Sequence, residues 1–354
     1  MDSYIIRKYK PEDKERMLEL VKNARGEHIA AITRKTWDWL FLNNPFIPPE
    51  EMAVFVMELD SRIIGLSCAI FIDLKIDNKI HKVRWVCNNI LHPQYRDIEK
   101  AAKIYFEYTD GAPYPFFGFI IKEVLPLTSK FGMYKIGTLH TLTSVLDMRI
   151  FLQQKIRNRF ITRLTGVIWN IILAIYSIKA MPSKDTIASE ILCFDERFDK
   201  FWNEVKDEYP IIIARDRKYL NWRFIESPFK YHIFITTANN NISGYIVVRL
   251  IEKGELKIGC IVDILNKTND KKSTNLLIDK AISYFKENGC HTVRCTIFTD
   301  MRTHRNALRR HGILFKNFLD YFVVYAEEKE LLSNLKKHEN WFITASDPDL
   351  EIWF

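Results

Sequence analysis

The chain carries one passage twice. Arg217-Lys218-Tyr219-Leu220-Asn221-Trp222-Arg223-Phe224-Ile225-Glu226-Ser227-Pro228-Phe229 keeps the order and spacing of Arg, Lys, Trp, Phe, Pro and Phe in Arg34-Lys35-Thr36-Trp37-Asp38-Trp39-Leu40-Phe41-Leu42-Asn43-Asn44-Pro45-Phe46. Asn221 stands where Asp38 stood. Thr33 and Asp216 precede the copies as expected helix caps, and each copy closes on a proline, which cannot extend a helix. Both read as short, aromatic-rich helices stopped by proline. Downstream, Phe55, Asp60, Ile63 and Gly65 are matched by Phe234, Asn239, Ile242 and Gly244, and Lys130-Phe131-Gly132-Met133 by Arg310-His311-Gly312-Ile313. Matches a domain length apart mean a duplicated domain, since solenoid periods run only about 20–50 residues.

The elements can be read twice in the same order. The first unit opens with a strand at Tyr4 to Tyr9 and a helix begun by Pro11-Glu12-Asp13. A hairpin over Met52 to Leu74 turns at Asp60-Ser61, and a second turn at Asp77-Asn78 leads into a central strand, Val83 to Leu91. A helix to Thr109, a strand at Pro115 to Ile121, a helix at Glu123 to Phe131 capped by Gly132, and a strand at Tyr134 to Leu146 complete it. The second unit has a strand at Glu190 to Phe194 and a helix at Glu196 to Val205. Its hairpin turns through Asn239-Asn240-Asn241, and its central strand is Glu255 to Leu265. A helix at Ser273 to Asn288, a strand at Thr292 to Phe298, a helix at Arg302 to His311 and a strand at Ile313 to Tyr325 follow. The fold class is α/β, a mixed α+β sheet with flanking helices, in units 1–148 and 185–354.

Between them, residues 149–184 contain no acidic residue. Arg149, Lys155, Arg157, Arg159 and Arg163 come first, then an apolar run from Leu164 to Ile178. That run is shorter than the roughly 20 residues a bilayer span needs. It reads as a helical connector, with a peripheral membrane contact as the alternative.

In a chain of 354 residues, 47% hydrophobic and 13% aromatic content supplies two cores. The net charge of +8 permits an anionic partner: a phosphorylated cofactor, an acidic membrane face or RNA. No apolar leader follows Met1, and the six cysteines lack a Cys-x-x-Cys pair, so free thiols in a reducing cytoplasm are expected. No metal-ligand spacing is present among the cysteines or histidines, and no structural metal is expected.

Trp37-Asp38-Trp39 with Asn44-Pro45, Asp60 through Gly65, His92-Pro93-Gln94-Tyr95-Arg96, and Trp341-Phe342-Ile343-Thr344 followed by Asp347 and Asp349 make the sequence resemble the GNAT superfamily of acyl-CoA N-acyltransferases. The likeness is to a tandem two-domain group and covers nearly all of the chain outside the connector. It implies a loop after the central strand, written Arg-Gly-x-Gly-x-Gly in the superfamily, whose bare N–H groups cradle a pyrophosphate at a helix start. Here the first copy reads Arg96-Asp97-Ile98-Glu99-Lys100-Ala101, with two acids in glycine positions, and the second, Asn266 to Ser273, has lost the motif.

On that resemblance, acetyl-CoA or another acyl-CoA would lie against Ile90, Leu91, Tyr95, Arg96, Ile98, Lys100 and Ala101. Trp39, Asn89 and Trp222 would border the substrate cleft. The superfamily's proton-donating Tyr falls on Thr128 and Leu308, so it is absent from both units. Glu123 and Asp263 are the candidate bases, against readings as a helix-start acid and a satisfied polar group. Trp39, Phe41, Trp222 and Phe224 read first as aromatic helix faces packed into the core, and Asp347-Pro348-Asp349 as a turn of solvated acids. Arg302, His304, Arg305, Arg309 and Arg310 form a basic helix, a solvated face or an anion surface. Cys290 and Cys295 show no adjacent base and are not read as nucleophiles.

The implied activity is transfer of an acyl group, acetyl for preference, from CoA to a primary amine such as an amino sugar. Two alternatives stand beside it. One is a non-catalytic protein of this fold that binds a partner or a membrane surface. The other is an aminoacyl-tRNA-dependent transferase of the peptidoglycan-bridge type, the one reading that calls for nucleic acid.

Overall fold

The structure, a computed structural model, describes residues 4–109, 114–149, 167–169, 171, 186–297, 302–310, 312, 315–347 and 351–352. Most of the connector lies outside the described residues, as do Pro348 and Asp349. In chain order the first half contains β1 (Ile5–Lys8), α1 (Lys14–Arg25), α2 (Glu27–Trp37), β2 (Val54–Leu59), β3 (Arg62–Ile76), β4 (Lys79–Leu91), α3 (Ile98–Thr109), β5 (Phe116–Ile120), α4 (Leu125–Lys130) and β6 (Tyr134–Val145). The second contains β7 (Thr186–Ile191), α5 (Arg197–Val205), β8 (Ile211–Ile213), α6 (Arg217–Leu220), β9 (His232–Ala238), β10 (Asn241–Lys253), β11 (Leu256–Asn266) and α7 (Lys271–Glu287). It ends with β12 (Thr292–Ile297), α8 (Arg302–Arg310), β13 (Phe315–Tyr325), α9 (Lys329–Leu335) and β14 (Trp341–Phe342).

Local chemistry sets the hairpins. Asp60 and Ser61 (φ 46° and 63°) and Asn239 and Asn240 (φ 51° and 63°) take left-handed backbone at the β2–β3 and β9–β10 tips. Two consecutive positive φ angles match the twist of the flanking strands, and short polar side chains tolerate them best. Asp77 (φ 50°) does the same between β3 and β4.

The repeated passage folds alike in both halves. Asp38–Leu42 and Asn221–Ile225 each form one π-helical turn, closed by Asn43 N to Asp38 O at 2.7 Å and by Glu226 N to Asn221 O at 3.0 Å. The entries differ. Asp216 caps α6, accepting from Tyr219 N at 2.8 Å. Thr33 caps nothing, contrary to the sequence reading: α2 already runs through it, and its hydroxyl donates to Ile29 O at 2.8 Å. The first strand of the second half also begins earlier than read, at Thr186, and ends at Ile191 because Glu190 and Ile191 complete a ladder with β9.

All strands but β8 and β14 lie along one path, β1-β2-β3-β4-β5-β13-β6-β12-β11-β10-β9-β7. Neighbours on it are antiparallel except at β4/β5 and β11/β12. The centre is an exchange. β13, from the second half, fills the place between β5 and β6, pairing Tyr321 with Ile120 and Phe315 with Thr143. β6, from the first half, runs on to β12, pairing Val145 with Thr292 and His140 with Ile297. The last strand of each repeat therefore belongs to both units' sheets.

The two copies of the repeat also meet each other. Trp39 Nε1 donates to Trp222 O at 2.9 Å, and the two indoles lie 5.5 Å apart. β8 pairs with the end of β3, and β14 pairs with β8, so the C-terminal segment is tied back to the first half. Among the described residues no helix is long and apolar enough to cross a membrane.

Candidate functional site

The two units differ most where their parallel strands should part. β4 and β5 share only the pairs Arg84–Phe116 and Trp85–Phe117 before separating. Gly118 marks the parting: a Cβ there would stand 2.6 Å from Val86 O, so any side chain would force the strands apart earlier. Beyond it opens a cleft of about 630 Å³, floored by the ends of both strands and roofed by α3 and α4. At its floor Asn88 has φ 49°, at an irregularity where two residues of β4 oppose Ser67 of β3. Such a bulge turns side chains away from the ladder. Asn88 Nδ2 is shielded from solvent with no hydrogen-bond partner among the described residues, while Ser67 Oγ donates to Asn89 Oδ1 at 2.8 Å.

Ile90, Leu91, Arg96, Ile98 and Ala101 lie on the wall of this cleft, and so does Asn89. Tyr95 and Lys100 do not. Tyr95 packs beside His92, ring centroids 5.5 Å apart. Lys100 is held by Asp97: its backbone N donates to Oδ1 at 2.7 Å and its ammonium to Oδ2 at 2.6 Å. Hydrogen bonding from Lys100 keeps the Asp97 carboxyl below its ordinary range. The start of α3, where a pyrophosphate would find bare N–H groups, thus already faces a carboxylate of its own chain. Arg96, whose Nε donates to Leu91 O at 3.2 Å, stands at the same mouth.

Glu123 lies outside the cleft wall, exposed in the turn Lys122–Val124, although Ile121 and Val124 on either side line the space. Thr128 lines it too, its hydroxyl donating to Leu125 O at 3.0 Å. Trp39 and Trp222 are 7% and 0% exposed, part of the core between the repeats.

In the second unit β11 and β12 stay paired from Ile258–Thr292 to Ile261–Cys295, and the space beyond is about 10 Å³. The C-terminal segment fills it. Ser346 N donates to Val262 O at 3.0 Å, and Thr344 Oγ1 donates to Asp263 Oδ1 at 2.8 Å. Asp263 also accepts from Tyr245 OH at 2.8 Å and from Arg215 Nε at 3.2 Å. Arg215 binds Asp347 through Nη2 at 2.8 Å. Asp347 is therefore no solvated turn acid; it is 0% exposed, its carboxyl pushed up by burial against the pull of Arg215. His304 of α8 is likewise turned inward, Nε2 2.8 Å from Asn266 Oδ1, and burial lowers its imidazole to about 4. Arg309 and Arg310 of the same helix are exposed; the side chains of Arg302 and Arg305 lie outside the described residues.

Asp320 was not singled out from sequence. Asp320 of β13 lies on the wall of the first unit's cleft although it belongs to the second repeat. It sits where the β13–β6 register slips between Phe318 and Tyr321. Burial raises its carboxyl above the ordinary range. Nothing in the local sequence signals this, because the exchange alone carries Asp320 across. Among the described residues no cluster of side chains is arranged to hold a metal ion.

No protein-family model and no curated protein sequence matches the chain. Solved structures do. A protein from Enterococcus faecalis described as a probable N-acyltransferase is 12% identical with a TM-score of 0.59, over 91% of this chain and 72% of that one. Saccharomyces cerevisiae N-myristoyltransferase with bound myristoyl-CoA is 11% identical, TM-score 0.57, over 92% and 82%. A GCN5-related N-acetyltransferase from Anabaena variabilis is 9% identical, TM-score 0.57, over 91% and 72%. The chain has the GNAT fold, and the likeness runs through nearly its whole length.

Proposed function

We propose that the chain is an N-acyltransferase that takes an acyl group from acyl-CoA to a primary amine in the cleft of its first unit. The observation that carries the reading is the asymmetry of the two partings: about 630 Å³ between β4 and β5 against about 10 Å³ between β11 and β12. A pantetheine arm and its thioester suit a groove floored by the ends of two parting strands, where backbone amides can meet the arm's amides. Ile90, Leu91, Ile98 and Ala101 would pack along it, and Arg96 would meet the diphosphate. N-myristoyltransferase holds myristoyl-CoA on this fold, which supports an acyl-CoA donor without fixing the acyl chain.

The residues fit the thioester end better than the phosphate end, since Asp97 occupies the start of α3. That observation favours a second reading, an aminoacyl-tRNA-dependent transferase that needs no diphosphate slot.

Calorimetric titration with acetyl-CoA, myristoyl-CoA and CoA, repeated on Arg96→Glu, tests the first reading. Micromolar binding lost in the variant supports it. Silence up to millimolar ligand, with tRNA binding that weakens steeply with salt, would move the assignment to the second.

A further inference from the structure

We propose that Asp320, delivered by the exchanged strand β13, is the general base that deprotonates the acceptor amine in the first unit's cleft. The inference rests on the acyltransferase reading above and assigns that site a residue from the other repeat.

Among the described residues the cleft wall carries two carboxylates, Asp97 and Asp320. Asp97 is spent on Lys100 and the start of α3. Glu123 is exposed and off the wall. Asp320 is half-buried, and among the described residues its carboxylate makes no hydrogen bond or ion pair. It caps no helix, and the ladder on one side of it is already irregular. A carboxylate held in partly apolar surroundings costs stability unless it is paired or hydrogen-bonded. Its raised basicity, a consequence of that burial, moves it toward the range useful to a base near neutral pH.

The step balances simply. The Asp320 carboxylate takes a proton from the bound ammonium, and the nitrogen lone pair so freed attacks the thioester carbonyl carbon. The C–N bond forms, the C–S bond breaks, and sulfur leaves with the electron pair. The second N–H proton, lost as the amide forms, passes to the thiolate and gives free thiol, while the proton held by Asp320 goes to solvent.

Thiol release from acetyl-CoA and myristoyl-CoA is measured with three acceptors. Ethanolamine and glucosamine are protonated near neutral pH, whereas hydroxylamine is already neutral and has no proton to lose before it attacks. Asp320→Asn is expected to lose about 10²- to 10⁴-fold with the first two and to stay within about threefold with hydroxylamine. Its calorimetric Kd for the donor stays at the native value, and Asp320→Glu recovers part of the rate. Equal losses with all three acceptors, no loss with any, or a weakened donor Kd would each overturn the assignment. Native protein that releases no thiol from either donor would overturn the acyltransferase reading itself, and the base with it.

Discussion

Asp97 is the residue on which donor affinity turns. Its carboxylate sits at the positive end of α3, bonded to Lys100 through backbone and side chain, so an incoming diphosphate must meet or displace a like charge. Asp97→Gly should tighten CoA binding by about tenfold while costing the helix only a few tenths of a kcal/mol of capping. Calorimetry reads the first effect and thermal unfolding the second; unchanged affinity would show that the diphosphate lies elsewhere. His304 makes a second prediction. It is neutral when folded, about 4 against an ordinary 6.5, so the unfolded chain binds the proton first as pH falls. Stability should therefore decline between pH 6.5 and 4, by up to a few kcal/mol, and His304→Gln should flatten that decline in pH-dependent denaturation. Neither His304 nor Asp320 could be placed from sequence. A basic helix reads as a solvated face, and a strand aspartate reads as an outward residue, until the packing partner is known.

Among the elements, those set by short-range chemistry were legible. The turns at Asp60-Ser61, Asp77 and Asn239-Asn240 carry positive φ where polar turn residues foretold them, and the strands beside them run within a few residues of the expected bounds. The π-helical turns were not legible, since they differ from α-helix only by a shift in hydrogen-bond partner. Nor was the end of the chain. The segment after β14 looks polar in sequence, yet Asp347 and Glu351 are wholly buried because two arginines from the α6 region await them. Arg223 donates to both Glu351 oxygens at 2.8 and 2.7 Å, and Tyr231 OH donates to Glu351 Oε1 at 2.5 Å. Glu351→Ala leaves a buried guanidinium without its carboxylate and should cost about 3–5 kcal/mol, read as a lowered denaturation midpoint. A loss under about 1 kcal/mol would mean that water reaches Arg223.

At the scale of the molecule, the repeated passage was plain in the sequence and the exchange of strands was hidden. Repeat spacing tells which strands correspond, but β6 and β13 correspond to each other, so nothing in their sequences says which unit's sheet each should complete. The exchange has a cost and a use. Each half alone would lack the strand beside β5 or β12 and present bare backbone edges, which invite aggregation. Joined, the halves share one sheet and place a residue of the second repeat in the first repeat's cleft. Fragment 1–148 expressed by itself should therefore be insoluble or swapped into dimers, whereas co-expression with 185–354 should restore a soluble one-to-one complex. Light scattering and amide exchange on β5 would decide the matter. A monomeric 1–148 fragment with protected β5 amides would show that β6 can close the first sheet unaided, and the position of Asp320 would then be incidental to the fold.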